Sequence, residues 1–91
     1  MSKPTVYMPR EQEVVDSPDY FLIRVFQQEH GWIDSARFTS KQALERYNNI
    51  KKMWPNMRAV LYAARHVNDE ERLAVITPAY LSALVELNAA Q

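Results

Sequence analysis

The sequence predicts an α+β fold: a four-stranded antiparallel sheet with two helices on one face, in the order ββαββα, preceded by an irregular N-terminal arm. Three observations carry this. The stretch from Tyr20 is dense in aromatic and β-branched residues, which suit a pleated surface. Two later segments open with a threonine at a helix N-cap position and then repeat apolar residues at helical spacing. Finally, a shift of 38 positions lays residues 20–50 over 58–88 without a gap, so that strands, turns and caps coincide. Only Ala36/Ala74 and Thr39/Thr77 are identical across that shift, so the repeat is one of architecture.

Residues 1–19 read as an extended arm. Pro4, Pro9 and Pro18 interrupt it, and each restricts the residue before it. The clusters Val6-Tyr7-Met8 and Val14-Val15 are candidates for packing on the body or on a partner. The domain proper is 20–91. Residues 20–28 form the first strand, and Gly31 closes the turn after it by supplying a positive φ. Residues 32–38 return as the second strand. Thr39 with Gln42 has capping-box spacing, and Ala43, Tyr47, Ile50 and Trp54 make the apolar stripe of the helix that follows, flanked by Leu44 and stopped by Pro55. The third strand spans 57–67, a polar turn 68–71, and the fourth strand 72–76. An alternative continues 68–76 into helix, giving ββαβα. Thr77-Pro78 opens the last helix, with Leu81, Leu84 and Val85 as its stripe and Tyr80 and Leu87 along one edge. Phe21, Ile23 and Val25, facing Ala59, Leu61 and Ala63, are the expected core of the sheet, the alanines admitting helices closely.

Composition narrows function. At 91 residues the chain has room for one domain, with 47% hydrophobic and 24% charged residues, as in ordinary globular proteins. Eleven basic residues balance eleven acidic ones, which excludes coating of nucleic acid by bulk charge. No cysteine means no disulfide and no thiolate chemistry, and a single glycine excludes a phosphate-cradling loop. No apolar run approaches the roughly 20 residues that span a bilayer, and the first residues lack a signal-peptide pattern, so a soluble cytoplasmic protein is expected. His30 and His66 sit in or near turns and lack a metal-pairing neighbour, and Ser35, Ser40 and Ser82 sit in cap or surface contexts. No catalytic residue, cofactor or metal is assigned, and the chain is expected not to be an enzyme.

The zero charge sum conceals a layout. Residues 1–36 carry a net −3, residues 37–66 a net +6, and residues 67–91 a net −3. In the first helix of the repeat, Lys41, Glu45, Asn48 and Lys52 share the face opposite the apolar stripe, with Arg46 and Lys51 beside it. That makes a local basic surface on a neutral chain. The second feature is the other face of the first strand: Tyr20, Leu22, Arg24 and Phe26, beside Arg58, Val60 and Tyr62. A helix-free face is expected to be polar, and this one is not. Either the arm covers it or it binds a partner, and Tyr and Arg are the residues that dominate interface hot spots.

Gly31-Trp32, Arg37-Phe38-Thr39-Ser40, Ala43, Pro55 and Arg58-Ala59-Val60 resemble small proteins of bacteriophages and mobile elements, in which a Trp/Phe hairpin feeds a short helix, a proline and an Arg-led strand. In size, lack of cysteine and patchy surface the chain is similar to the anti-CRISPR class. The resemblance covers about a third of the chain and carries no functional residue over. It implies a phage-encoded inhibitor, acting in a bacterial cytoplasm, that binds a host protein or ribonucleoprotein. The candidate partner is a CRISPR effector or surveillance complex, whose target-DNA recognition it would block sterically, touching guide RNA or DNA where basic residues reach it. The residues themselves also admit a small nucleic-acid-binding regulator that uses the basic helix. The partner-binding candidates are Tyr20, Arg24, Phe26, Arg37, Lys41, Arg46, Lys51, Lys52, Arg58, Tyr62 and Arg65.

Overall fold

A computed structural model describes residues 9–89. The elements run α1 (Pro9–Asp16), β1 (Tyr20–Gln27), β2 (Gly31–Asp34), α2 (Ser40–Met53), β3 (Ala59–Val67), β4 (Glu70–Ile76) and α3 (Pro78–Ala89). The four strands form one antiparallel sheet in the order β2-β1-β3-β4. The α+β class and the doubled ββα unit are therefore as predicted, and 70–76 is strand, not helix.

The repeat has a geometric meaning. Ile23 and Leu61 lie 38 positions apart and are also direct cross-strand partners. A local two-fold axis thus passes between them, relating β1 to β3, β2 to β4 and α2 to α3. The same spacing relates Ala43 to Leu81, the one fully buried residue of each helix. Phe21, Ile23 and Val25 face Ala59, Leu61 and Ala63 as expected, and Ala74 and Ile76 extend the layer. Large residues of β1 meet alanines of β3, Phe21 opposite Ala63 and Val25 opposite Ala59, which lets the helices close down on the sheet.

Both helix starts are built as their sequences require. The Thr39 hydroxyl accepts from the Gln42 N–H at 3.2 Å, and the Gln42 side chain accepts from the Thr39 N–H at 3.0 Å, a complete capping box. Thr77 caps α3, accepting from the Tyr80 N–H at 3.1 Å. Trp54 departs from expectation. Its N–H ends α2 on the Ile50 carbonyl, and its ring is 50% exposed, so the apolar stripe stops at Ile50.

Three further differences are physical in origin. Residues 9–16, read as extended, are helical. Proline at a first helical position loses no hydrogen bond, and Glu11 in the first turn suits the helix dipole. Val14 and Val15 join the core beside α2 and α3, and Tyr80 donates to the Val15 carbonyl at 2.6 Å. Three helices therefore cover one face of the sheet. The Val6-Tyr7-Met8 cluster lies outside the described residues. Secondly, the second strand ends at Asp34, and Phe38 rejoins the ladder opposite Phe21. From Arg24 to Phe21 is three steps, whereas from Asp34 to Phe38 is four: a bulge. Ser35 fills the gap, its hydroxyl accepting from the Ile23 N–H at 2.9 Å. Thirdly, the β3–β4 turn is only Asn68-Asp69, both in the left-handed region (φ 51° and 63°), the geometry of a tight hairpin. His66 lies near the end of β3, within the expected strand, and its N–H donates to the Asp19 carboxylate at 2.9 Å.

Candidate protein-binding sheet face

Alternation along the strands sends Tyr20, Leu22, Arg24 and Phe26 of β1 to the face away from the helices. Cross-strand pairing sets Trp32 and Asp34 of β2 beside Phe26 and Arg24. On the other side it sets Val60, Tyr62 and Ala64 of β3 beside Arg24, Leu22 and Tyr20, and then Leu73 and Val75 of β4. The helices α1, α2 and α3 all pack on the opposite side. Residues 9–16 therefore do not cover this face, which answers for those residues the question their sequence left open.

The face is organised by its aromatic rings. Phe26 and Trp32 meet edge to face at 5.3 Å between centroids. The Arg24 guanidinium lies 4.8 Å from the Tyr62 ring centroid, and Arg37 lies 4.5 Å from that of Tyr20. The bulge at 35–37 is what aims Arg37 at Tyr20 while returning Phe38 to the core side. Phe26 is 37% exposed and Trp32 49%, whereas Leu22 and Ala64 are buried.

Charge on this face is largely spent within it. Arg24 donates to both carboxylate oxygens of Asp34, at 2.5 and 3.1 Å, a bidentate pair. The Arg24 bonds hold the Asp34 carboxyl below its ordinary value, and the same contact raises Arg24 beyond any accessible pH. Tyr20 donates to Glu71, and its phenol is raised by burial first and by that hydrogen bond second, so it stays a neutral donor at pH 7. Because the folded Asp34 titrates below the unfolded one, its contribution is complete above about pH 5 and lost as pH falls through the folded value. Asp34 is exposed, so solvent screening limits the contribution to about 0.2–1 kcal/mol. Unfolding curves of wild type and Asp34→Asn should therefore differ by that much near pH 6 and converge near pH 2. A gap that is constant across pH would show that the pair contributes nothing.

Beside the face, at the end where β1 stops and β3 begins, an open groove of about 650 Å³ is lined by Phe26, Met53, Trp54, Met57 and Arg58, among others. Lys51 donates to the Met57 carbonyl at 3.0 Å and so holds one wall. Met53 and Trp54 reach solvent here, and neither was singled out for binding from the sequence, because helical spacing counted Trp54 as core.

The eleven predicted partner-binding residues do not form one surface. Tyr20, Arg24, Phe26 and Tyr62 share the open face, Arg37 stacks onto it, and Arg58 stands at its end beside the groove. Lys41 and Lys52 are exposed on α2, on the other side of the sheet, with Glu45 between them. Arg46 lies over the Phe38 ring at 5.9 Å, and Lys51 is tied to the loop. Arg65 belongs to neither group. It alternates with Ala63 onto the helix side and pairs in register with Arg72, which meets Glu13 at 3.4 Å. The basic surface of the sequence is thus divided, and the guanidiniums of Arg24, Arg37 and Arg46 lie against rings or a carboxylate.

Among the described residues, no three His, Asp or Glu side chains gather as a metal would require, and no helix is long and apolar enough to cross a membrane. Compared with family models, curated proteins and solved structures, the chain shows no match.

Proposed function

We propose that this protein acts by docking a protein partner on the sheet face that none of the described helices covers, and that it works as a steric inhibitor. The single observation carrying this reading is the open face itself: apolar and aromatic, with its arginines paired to Asp34 and stacked on Tyr20 and Tyr62. Nucleic acid selects unpaired cations that release counterions from phosphates, whereas protein interfaces select aromatic anchors whose polar groups are already satisfied. Phe26, Trp32 and Tyr62 are such anchors, and the Met53/Trp54 groove extends the apolar surface. The resemblance to anti-CRISPR proteins nominates a CRISPR effector complex as the first partner to offer.

The test is affinity capture from a bacterial lysate containing such a complex, with and without nuclease, using wild type, Phe26→Asp and the double variant Lys41→Glu/Lys52→Glu. Capture should survive nuclease and the helix variant, and fall at least about thirty-fold for Phe26→Asp, the equivalent of a 2 kcal/mol hot spot. Capture abolished by nuclease or by the helix variant, but not by Phe26→Asp, overturns the reading in favour of a nucleic-acid regulator using α2.

A further inference from the structure

We infer that β2 is a dimerisation edge, through which two copies of this chain join their sheets antiparallel about a two-fold axis at Ile33. The backbone fixes which groups are available. Phe26 donates its N–H to the Arg58 carbonyl, so Phe26, and by alternation Arg24, bond toward β3. Ser35 donates its N–H to the Ile23 carbonyl, so Ile23, and by alternation Val25, bond toward β2. Ile33 is therefore engaged with Val25, and the N–H and C=O of Trp32 and Asp34 point away from the sheet along its outer edge. Among the described residues no strand lies there.

Those four groups are self-complementary. Antiparallel pairing about Ile33 sets Trp32 of one copy opposite Asp34 of the second, and each pair exchanges two backbone hydrogen bonds. Ile33 then faces Ile33 of the second copy at a position without cross-strand bonds, where side chains approach most closely. Ile33 is 37% exposed on the helix side, next to a groove of about 380 Å³ shared with Val25, Phe38 and Ile50, so the contact covers apolar surface that α2 leaves open. On the open side the Arg24–Asp34 pair of one copy lies beside Trp32 of the other, and no like charges are opposed. The zero net charge removes general repulsion between copies.

The two edges of the sheet differ in protection. Exposed edges are normally defended with lysine, proline or inward charges. The first half of β4 carries Glu70, Glu71 and Arg72, and α1 packs against that strand. β2, Gly-Trp-Ile-Asp, has neither lysine nor proline, and its one charge is bound to Arg24. A bulge follows β2 but none interrupts it. Dimerisation here makes an eight-stranded sheet and joins the two open faces side by side. This inference stands without the partner-binding reading, because it concerns the edge and needs only the chain itself.

Sedimentation equilibrium of the full chain from about 5 to about 500 µM tests it. The weight-average mass should rise with concentration from 10.7 kDa toward twice that value. Ile33→Lys places two ammonium groups opposite each other at the axis, and should weaken the dimer at least ten-fold while leaving the circular dichroism of the monomer unchanged. Amide exchange supplies a second readout in the wild type: the Trp32 and Asp34 N–H groups should exchange at least ten-fold more slowly at the highest concentration than at the lowest. A mass that stays at 10.7 kDa throughout overturns the proposal. So does a dimer that persists in Ile33→Lys, or one in which these two amides gain no protection.

Discussion

Val14→Asp should unfold the domain or leave it barely stable. Val14 is 1% exposed in a cluster with Ile23, Ala43, Leu61 and Leu81. An ionised carboxylate there gives up its hydration, and even with Arg72 lining the same cleft, taking a charge out of water at a fully buried site costs several kcal/mol. A domain of this size has only about 5–15 kcal/mol of stability in total. Gln12→Ala, on the exposed side of the same helix, should stay within about 0.5 kcal/mol. The sign with pH is also fixed. Burial raises the folded-state pKa of the new Asp above its unfolded value, so the penalty is full at neutral pH and relieved as pH falls toward about 4. Urea unfolding of both variants at pH 7 and pH 4 decides the matter. A Val14→Asp protein with wild-type stability would return residues 9–16 to the status of a detachable arm.

That helix marks where sequence reasoning ran short. Proline reads as a helix breaker, yet Pro9 begins the helix, a position where proline is favoured. Glu11 in the first turn and the apolar pair Val14-Val15 were the signal available. By contrast, the two later helices announced themselves. Thr39 with Gln42, and Thr77 with Pro78, are local chemistry that depends on nothing distant. The strand faces were equally legible, because period-two alternation of Phe21, Ile23 and Val25 against Tyr20, Leu22, Arg24 and Phe26 leaves one consistent assignment.

The site was legible residue by residue but not as a surface. Arg24, Tyr62, Phe26 and Tyr20 were assigned to one face, and they share it. Trp32 and Asp34 completed that face unseen, since their positions depend on the hairpin register, which the three-residue loop after Gln27 and Gly31 at φ 71° together set. Arg37 reaches Tyr20 only because the bulge adds one residue, and nothing in the local pattern of 35–38 announces a bulge. Net charge by segment grouped Arg65 with the basic helix. Register sets it opposite Arg72, which meets Glu13 of α1, and a segment sum cannot capture that.

Ile23→Ala and Leu61→Ala should each cost about 2–5 kcal/mol, and the double variant should depart from the sum by about 0.5–3 kcal/mol. The reason lies in the repeat. These two residues are equivalent in the doubled ββα unit and adjacent on its axis, 1% and 2% exposed, so each packs against the other and both halves rest on the pair. Truncating one leaves a cavity against the other. Truncating both merges two cavities into one, which the alanine-rich floor of Ala63 and Ala74 gives little means to fill. For a domain this small each kcal/mol moves the midpoint about 4–8 °C, so either single variant should melt more than 8 °C below wild type. Leu87→Ala, on an exposed position of α3, should melt within a few degrees of it. Additive losses at Ile23 and Leu61, or losses below about 1 kcal/mol, would mean that the two halves are stabilised separately and that the axis is not where the fold is held.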